Sequence, residues 1–286
     1  MEPAALRGAR PAPLELDAVV QFLRSAAYNE PWHEHRIVET ARVLPRAASS
    51  EARYVDLGTH PLLIHVMARV GDYAWAAGAN WTPGGPPWAD AVVTEPEPPG
   101  ADFTYRIHNA NLEYDRLPFD DGSADLVTCL EVIEHLTSDP MHLLLEINRI
   151  LKVGGAAVLS TPNIVSWRAI QQARRKQHPM NFPYFFPGHY TNRHNIEFSP
   201  EQMRSMVRSA GFAGEVTTFD AWYQPRRLEI LRLRLAGFAD GDRGDCILAV
   251  LRKAGPPVAR YDPLVYQLTD DQLRQNDRVE LSYRNR

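Results

Sequence analysis

Short apolar runs alternate with stretches of helically spaced apolar residues along most of the chain. Seven runs have the near-continuous apolar character of strands buried on both faces, and they lie at 53–58, 72–79, 103–107, 124–130, 156–160, 216–222 and 246–251. Apolar residues at helical spacing lie between several of these runs, as in 62–70 and 139–151, and Gly154 and Gly155 are predicted to end the second of these helices. Residues 163–178 also look helical, and a further helix is predicted to begin at Pro200 with Ser199 as its cap. The alternation predicts an α/β fold with a doubly wound, mostly parallel, seven-stranded sheet and helices on both faces.

The two ends of the chain do not follow this alternation. Residues 14–28 have apolar side chains at helical spacing, and a second helical pattern begins at Pro31 and stops before Pro45. Fifty residues are too few to bury a core alone, so we expect residues 1–50 to form an N-terminal helical lid. The main domain then spans residues 51–253. The polar C-terminal tail, 254–286, is expected either to dock on the body or a partner, or to stay loose.

Two proline-rich stretches interrupt the pattern. Residues 80–100 combine prolines with glycines and two tryptophans, which excludes a regular helix and predicts an ordered surface loop. Residues 179–195 are rich in aromatic side chains and histidine. Their aromatic side chains are predicted either to wall a substrate site or to belong to the core.

The run 124–130 leads directly into three side chains that can bind a metal. Glu131, Glu134 and His135 follow its last residue, Leu130, within five positions. If the chain becomes helical there, the three lie at i, i+3 and i+4 on one face. That face would lie beyond the carboxyl end of a strand, where open α/β sheets place their sites. The alternative is a solvated turn with ordinary acidic residues.

Composition and charge narrow the classes of partner and compartment. The formal net charge is -4, which gives no support for a nucleic-acid partner, and no apolar run reaches the roughly 18 residues of a membrane span. Cys129 and Cys246 fall in different predicted strands, so we expect two buried thiols and no disulfide. With no signal-peptide pattern in residues 1–13, the expected location is the cytoplasm.

Four short segments occur in a characteristic order: VDLG at 55–58, LPF at 117–119 with GSAD at 122–125, EVIEH at 131–135, and LKVGG at 151–155. In this combination they resemble the class I S-adenosylmethionine-dependent methyltransferases, over about residues 50–253. The resemblance implies a Rossmann-like sheet, S-adenosylmethionine as cofactor, and a small-molecule substrate. It does not indicate an oligomeric state.

The EVIEH segment is similar to that of a narrower subset, the ubiquinone-biosynthesis O-methyltransferases and the small-RNA 3′-end 2′-O-methyltransferases. In the RNA enzymes the two glutamates and the histidine of this motif bind a divalent metal together with a second histidine. That histidine precedes a segment similar to IEFSPEQ at 196–202. The resemblance therefore implies a four-ligand site of Glu131, Glu134, His135 and His194, with Mg²⁺ or Mn²⁺ favoured. His135 or His189 is the expected general base.

The resemblance also implies which residues contact the cofactor, namely Asp56, Gly58, Asn80, Asn111, Leu112 and Leu130. Two features depart from the family pattern. The family's first loop has three glycines that let the backbone approach the cofactor, and only Gly58 is present here. Asn80 and Asn111 occupy the positions where the family has acidic residues, and an amide accepts a hydrogen bond through one oxygen without a charge.

Three functional hypotheses follow. The first is a divalent-metal-dependent O-methyltransferase acting on a small polyhydroxylated or natural-product substrate. The second, motivated by the missing glycines and the two asparagines, is a methyltransferase fold that catalyses another biosynthetic step, such as a cyclisation, isomerisation or elimination. The third is a non-catalytic partner of another enzyme, against which the intact ligand set argues. RNA methylation is disfavoured because the charge is negative and the basic cluster at 174–176 is small.

Overall fold

The computed structural model describes residues 11–96, 101–185, 187 and 193–267, and it shows one mixed sheet flanked by helices. The eight strands are β1 (Arg53–Leu57), β2 (Trp75–Asn80), β3 (Trp88–Thr94), β4 (Asp102–Asn109), β5 (Ala124–Leu130), β6 (Leu151–Pro162), β7 (Phe212–Phe219) and β8 (Cys246–Lys253). The predicted α/β class and the mostly parallel, Rossmann-like sheet are confirmed, with eight strands instead of seven.

The sheet has a parallel centre and antiparallel edges. Its strand order is β3-β4-β2-β1-β5-β6-β8-β7. The five neighbouring strands β4-β2-β1-β5-β6 pair in parallel, whereas β3, β8 and β7 pair antiparallel with their neighbours. In a parallel set all carboxyl ends meet at one edge. This edge therefore collects the residues that follow β1, β2, β4 and β5.

The eighth strand, β3, lies inside the stretch predicted to be a surface loop. Its register pairs Trp88 with His108 and Thr94 with Asp102. The prolines of residues 80–100 all fall outside Trp88–Thr94, so they remove no donor from the ladder. The strand lies at the sheet edge, where sequence pattern is weakest because only one side is paired.

The helices cover both faces of the sheet, and the buried side chains form one cluster on each. They are α1 (Val19–Ser25), α2 (Glu34–Arg42), α3 (Pro61–Val70), α4 (Pro140–Ile150), α5 (Trp167–Arg174), α6 (Pro200–Ser209) and α7 (Arg227–Leu235). Helices α4 and α6 contribute to one cluster and α1, α2 and α3 to the other. None of the described helices is long and apolar enough to cross a membrane.

Helix ends follow the local sequence closely. The Ser199 hydroxyl caps α6 by accepting a hydrogen bond from the backbone of Gln202, and the Gln202 side chain accepts one from the backbone of Ser199. Pro200 is the first helical residue, as predicted. The Asp139 side chain caps α4 by accepting a hydrogen bond from the backbone of His142. The predicted helix at 163–178 is shorter in the structure, where α5 spans Trp167–Arg174. Helix α7 was not predicted, because its leucines lie on two faces, Leu228, Leu231 and Leu235 on one and Leu233 on the other.

The two glycines predicted to end α4 lie inside β6. Helix α4 ends at Ile150 and the strand begins at Leu151 without a loop. The register of β5 against β6 shifts between Ala124 and Leu126. At that irregularity Gly154 has φ +78°, and a Cβ on Gly155 would lie 2.8 Å from the carbonyl oxygen of Lys152. These glycines therefore permit a bulge in the strand, and the prediction of a helix end was wrong.

The N-terminal helices are built into the core. Val19, Leu23 and Ile37 are fully buried and belong to the same cluster as Tyr54 of β1 and Leu126 of β5. Residues 14–44 therefore cover one face of the sheet. Their division from the main domain at residue 50, and their action as a lid, stay predictions.

The described part of the C-terminal tail docks on the body. Buried Asp262 accepts hydrogen bonds of 2.7 Å from Ser205 and Ser209 on α6. Arg260 pairs with the capping residue of α4, Asp139. These contacts hold residues 254–267 across the outer side of α4 and α6; residues 268–286 lie outside the described residues. Cys129 and Cys246 are buried free thiols, as predicted.

The buried side chain of His65 on α3 predicts that the folded protein loses stability as the pH falls. It lies between Tyr105, 2.7 Å away, and Glu95, 3.1 Å away, and burial followed by the charge of Arg69 lowers its pKa to about 4. At pH values between about 4 and 6.5 the imidazole of His65 binds a proton in the unfolded chain but stays neutral in the folded chain. Stability should therefore be complete above pH 6.5 and fall as the pH drops toward 4, by at most about 1.4 kcal/mol per pH unit for this residue.

Urea denaturation of the wild type and His65→Gln across this range checks the expectation. The wild type should lose more stability than the variant between about pH 7 and pH 5. Equal pH dependence of the two proteins would show that His65 does not carry the effect.

Candidate active site

A cleft of about 760 Å³ opens at the carboxyl ends of the parallel strands. Its lining comes from the segments that follow β1, β2, β4 and β5: Gly58, Asn80, Trp81, Asn111, Leu112, Glu113, Tyr114, Glu131, Val132, His135, Leu136 and Thr137. The topology therefore brings six of the predicted site residues to one cleft. Asp56 and Leu130 are not in this lining.

Gly58 forms the turn between β1 and α3. Its φ is +75°, and a Cβ there would lie 2.2 Å from Cγ2 of Val132, so only glycine lets the chain turn beside the cleft. The next helix starts at once, because the side chain of His60 accepts a hydrogen bond from the backbone of Leu62 and Pro61 is the first helical residue. His60 and Leu62 stand at the positions of the two other glycines of the family pattern.

Asp56 has a structural position below the cleft. Its carboxyl group is buried and accepts a short hydrogen bond from Thr128 on the neighbouring strand. Burial raises its pKa to about 7, against the opposing effect of the hydrogen bonds from Thr128, Thr59 and Tyr54. A side chain held in this way links β1 to β5.

The two asparagines lie in the cleft as the resemblance implied. Asn80, the last residue of β2, accepts a hydrogen bond from the backbone of Trp81 at 2.9 Å. Asn111 accepts one from the backbone of Glu113, also at 2.9 Å. Glu113 is an acidic residue that the sequence analysis did not single out. Its carboxylate is already engaged by the backbone amides of Ser138 and Asp139.

Three of the four predicted metal ligands meet beside the cleft. One ligand atom each from Glu134, His135 and His194 lies within 4.8 Å of the others. Oε1 of Glu134 is 3.8 Å from Nε2 of His135 and 4.0 Å from Nε2 of His194. Glu134 is fully buried, and its Oε1 has no hydrogen-bond partner among the described residues. A buried carboxylate oxygen without a donor, facing two imidazole nitrogens, is chemically suited to a cation.

The same three side chains are held from behind. Nδ1 of His135 lies 3.0 Å from the carbonyl oxygen of Arg193, and Nδ1 of His194 lies 2.7 Å from Oε1 of Glu197. An acceptor at Nδ1 favours the proton there and leaves Nε2 with its lone pair, which is how histidines that bind metals are normally oriented. Thr161 donates to the other carboxylate oxygen of Glu134 at 2.8 Å.

Asn195 explains why His194 reaches a site formed sixty positions earlier. Its backbone amide donates to the carbonyl oxygen of Glu134 at 2.8 Å, and its side-chain amide donates to that of His135 at 2.7 Å. The end of the aromatic loop is thereby fixed to the short 3₁₀ turn Ile133–His135.

The fourth predicted ligand, Glu131, lies outside the group of three. The chain is not helical after β5: Glu131 has φ +58° and the 3₁₀ turn begins only at Ile133, so the expected i, i+3, i+4 face does not form. Its Oε1 accepts a hydrogen bond of 2.8 Å from Ser160. Burial raises the pKa of Glu131, and it raises the pKa of Glu134 further still, with the charge of Glu131 as the second cause.

Arg36 on α2 is a buried charged residue that the sequence analysis did not single out. It is only 3% exposed, and its Nε and Nη1 have no hydrogen-bond partner among the described residues. Burial raises the pKa of Glu131 in the cleft wall, and the charge of Arg36 opposes that rise. Burial lowers the pKa of His33 to about 4, and the charge of Arg36 adds to the lowering. The sequence gives no signal that Arg36 is buried, because most residues of α2 are polar. His189, the other predicted base, lies outside the described residues.

Comparison with known proteins identifies the fold family. A family model described as a methyltransferase domain matches residues 32–216. This chain belongs to that methyltransferase family. The family and the class I fold support S-adenosylmethionine as the methyl donor of this methyltransferase, as predicted. No curated protein matches the sequence.

Solved structures similar to this methyltransferase agree on the fold. One is the methyltransferase component of a Haloferax volcanii complex with the Trm112 methyltransferase activator, with 18% identity, 86% of this chain and 100% of that chain covered, and a TM-score of 0.51. Another is an S-adenosylmethionine-dependent methyltransferase from Archaeoglobus fulgidus, with 15% identity, coverages of 79% and 98%, and a TM-score of 0.50. At these identities the likeness shows the fold alone.

Substitution of Gly58 should damage both stability and the cleft. Gly58→Ala combines a left-handed backbone with a Cβ inside the van der Waals radius of Val132, so we expect a loss of about 2 kcal/mol or more and weaker cofactor binding. Gly237→Ala is the matched control, because Gly237 has φ +89° with nothing within 4 Å of the added Cβ; it should cost about 1 kcal/mol. Urea denaturation compares them, and equal losses would show that contact with Val132 does not matter.

Proposed function

We propose that this methyltransferase is a divalent-metal-dependent O-methyltransferase acting on a small polyhydroxylated or natural-product substrate. The observation that carries the proposal is the buried Oε1 of Glu134, which has no hydrogen-bond partner among the described residues and faces Nε2 of both His135 and His194. Methylation of a nitrogen atom does not need a cation at this place, whereas methylation of a hydroxyl group does. A hydroxyl is a weak nucleophile until its proton is removed or its pKa is lowered.

The cleft lining supports the placement of S-adenosylmethionine. Gly58 allows the backbone to approach the cofactor, while Asn80 at the end of β2 and Asn111 after β4 offer amide oxygens and nitrogens to its ribose and adenine. Arg36 brings a buried guanidinium with two unpaired nitrogens close to Glu131, and we assign it to the carboxylate of the methionine part. Because the bound sulfonium supplies an activated methyl group, the protein's main task is to hold the acceptor oxygen in line.

The metal site is proposed to consist of Glu134, His135 and His194, with Glu131 at its border. The carboxylate and the two imidazoles fit Mg²⁺ or Mn²⁺ by ligand type. A cation there would favour the charged form of Glu134, whose pKa is raised by burial and then by the charge of Glu131. A bound divalent ion would supply Lewis acidity, lowering the pKa of an adjacent substrate hydroxyl. Since Nε2 of His135 faces Oε1 of Glu134, we assign His135 to the metal and leave the role of general base to His189.

A second candidate function rests on the two asparagines. Without carboxylates at positions 80 and 111 the cleft offers a cofactor no charged acceptors there, which favours a methyltransferase fold that performs another step. Titration with S-adenosylmethionine distinguishes the two. The absence of binding heat at millimolar cofactor, with and without Mn²⁺, would favour the second candidate.

Cofactor affinity should respond to charge at the end of β2. A hydrogen bond to a charged group contributes about 1.5–3 kcal/mol, against about 1 kcal/mol for a neutral one. Two neutral acceptors thus predict binding that is weaker by about one to two orders of magnitude than with two carboxylates. Asn80→Asp should tighten S-adenosylhomocysteine binding by about threefold to tenfold. The gain is limited because the substitution also removes a 3.4 Å hydrogen bond from the Asn80 side chain to the carbonyl oxygen of Thr59.

Calorimetric titration measures this change. Asn109→Asp is the control, because Asn109 ends the neighbouring strand β4 without lining the cleft. An unchanged or weaker affinity in Asn80→Asp would remove Asn80 from the cofactor site.

Metal binding should require Glu134, His135 and His194 and should be strengthened by Glu197. Glu134→Gln and His194→Ala are expected to abolish Mn²⁺ binding measured by electron paramagnetic resonance in the absence of substrate. Glu197→Gln should weaken it by about 10- to 100-fold, because Glu197 orients His194 without itself being in the group. His178→Ala, an exposed histidine at the start of the same loop, is the matched control. Equal Mn²⁺ binding by all four variants would disprove the site.

A further inference from the structure

Helix α7 presents a stripe of exposed leucines. Leu228, Leu231 and Leu235 are 58%, 49% and 81% exposed. At 100° per residue they fall within an arc of about 60° on the helix surface. Single exposed leucines are ordinary, but three in one stripe on a nine-residue helix form a contiguous apolar ridge.

Arginines border this ridge on both sides. On the helical wheel Arg227 and Arg234 lie to one side of the leucines and Arg232 to the other. Arg234 pairs with Asp240 at 2.7 Å. Arg227 and Arg232 are exposed and have no ion pair with any residue in the described part of the chain. The pattern of an apolar ridge between cationic side chains is typical of helices that lie at a lipid surface.

The opposite face of α7 is fixed to the body, so the leucines are directed outward. Leu233 is buried, and Tyr223 donates a hydrogen bond of 2.9 Å to Glu229. Tyr223 also accepts one of 3.0 Å from Gln171 on α5. This linkage places the carboxyl end of α5 next to α7, where the charge of Arg175 acts on the hydroxyl of Tyr223.

The end of α5 extends the positive surface. Arg174, Arg175 and Lys176 are exposed and have no ion pair among the described residues. Together with Arg227 and Arg232 they make five exposed positive charges on α7 and the carboxyl end of α5 that have no ion pair with a described residue. The chain as a whole has a formal net charge of -4, so this surface is positive against an acidic remainder, and a negatively charged plane would orient the molecule with α7 facing it.

We propose that α7 and the carboxyl end of α5 dock on the surface of an anionic phospholipid bilayer. The leucines would enter the boundary between headgroups and acyl chains, and the arginines and Lys176 would contact the phosphates. The leucine ridge decides between a lipid surface and RNA. Nucleic acid is recognised by cationic and aromatic side chains and offers no acceptor for exposed leucines. This is surface association without a membrane span, and it does not depend on the proposed function.

Flotation of the full chain with vesicles tests the proposal. We expect binding to vesicles of phosphatidylcholine mixed with phosphatidylglycerol, weakened by salt, and little binding to phosphatidylcholine alone. Arg227→Glu with Arg232→Glu should weaken binding by about tenfold or more. Leu228→Ser with Leu231→Ser should do the same without changing the net charge.

Leu264→Ser with Arg46→Glu is the matched control, because it removes an exposed leucine and an exposed arginine at other places on the surface. Circular dichroism verifies that each variant is folded. The proposal is overturned if the control weakens vesicle binding as much as the α7 variants do, or if the wild type does not bind anionic vesicles. It is likewise overturned if the leucine variants bind vesicles normally and only lose self-association in light scattering, or if the arginine variants lose only RNA binding.

Discussion

The candidate site depends on the burial of one carboxylate. Glu134 is inaccessible to solvent; one of its oxygens is bonded to Thr161, and the other has no donor among the described residues. A charge in such a place is costly unless a cation or a proton accompanies it. Two imidazoles direct their Nε2 atoms to that oxygen while their Nδ1 atoms face other acceptors. This arrangement is the basis of the proposed metal site, and Glu197 contributes to it by orienting His194.

Sheet topology supplies the second half of the site. The order β4-β2-β1-β5 brings Asn111, Asn80, Gly58 and Val132 into one cleft although they span more than seventy positions of the chain. Glu134 and His194 lie next to His135, which lines this cleft. A cofactor in the cleft and an acceptor at the proposed metal site would therefore be neighbours, as transfer of a methyl group between two reactants held in line requires.

Much of the fold was predictable because buried parallel strands have a simple signature. The apolar run 124–130 is β5 in the structure, and the Ser199-Pro200 cap begins α6 at the expected residue. What failed was set by context. Strand β3 is an edge strand between prolines, and α7 has leucines on two faces, so neither has a single period. The turn after β5 depends on the left-handed backbone of Glu131, which no propensity of glutamate predicts.

The site itself was predictable only in part. The proximity of Glu134 and His135 is local and follows from their adjacency in the sequence. That of His194 came from a resemblance, since no pattern of the chain places it there. The burial of Arg36 cannot be predicted from the spacing of apolar residues, because an arginine in a helix is usually a surface residue whose aliphatic stem alone is buried. Only the three-dimensional packing of α2 against the sheet reveals that its guanidinium is enclosed.

The two hydrogen bonds of Asn195 have a consequence for local motion. They join the end of the aromatic loop to the turn at 133–135 across about sixty positions of the chain. Opening of the loop would break these two bonds and separate His194 from Glu134 and His135 while the strands of the sheet stay paired, and local opening of this kind costs less free energy than global unfolding. The group of three side chains would therefore come apart before the cleft does.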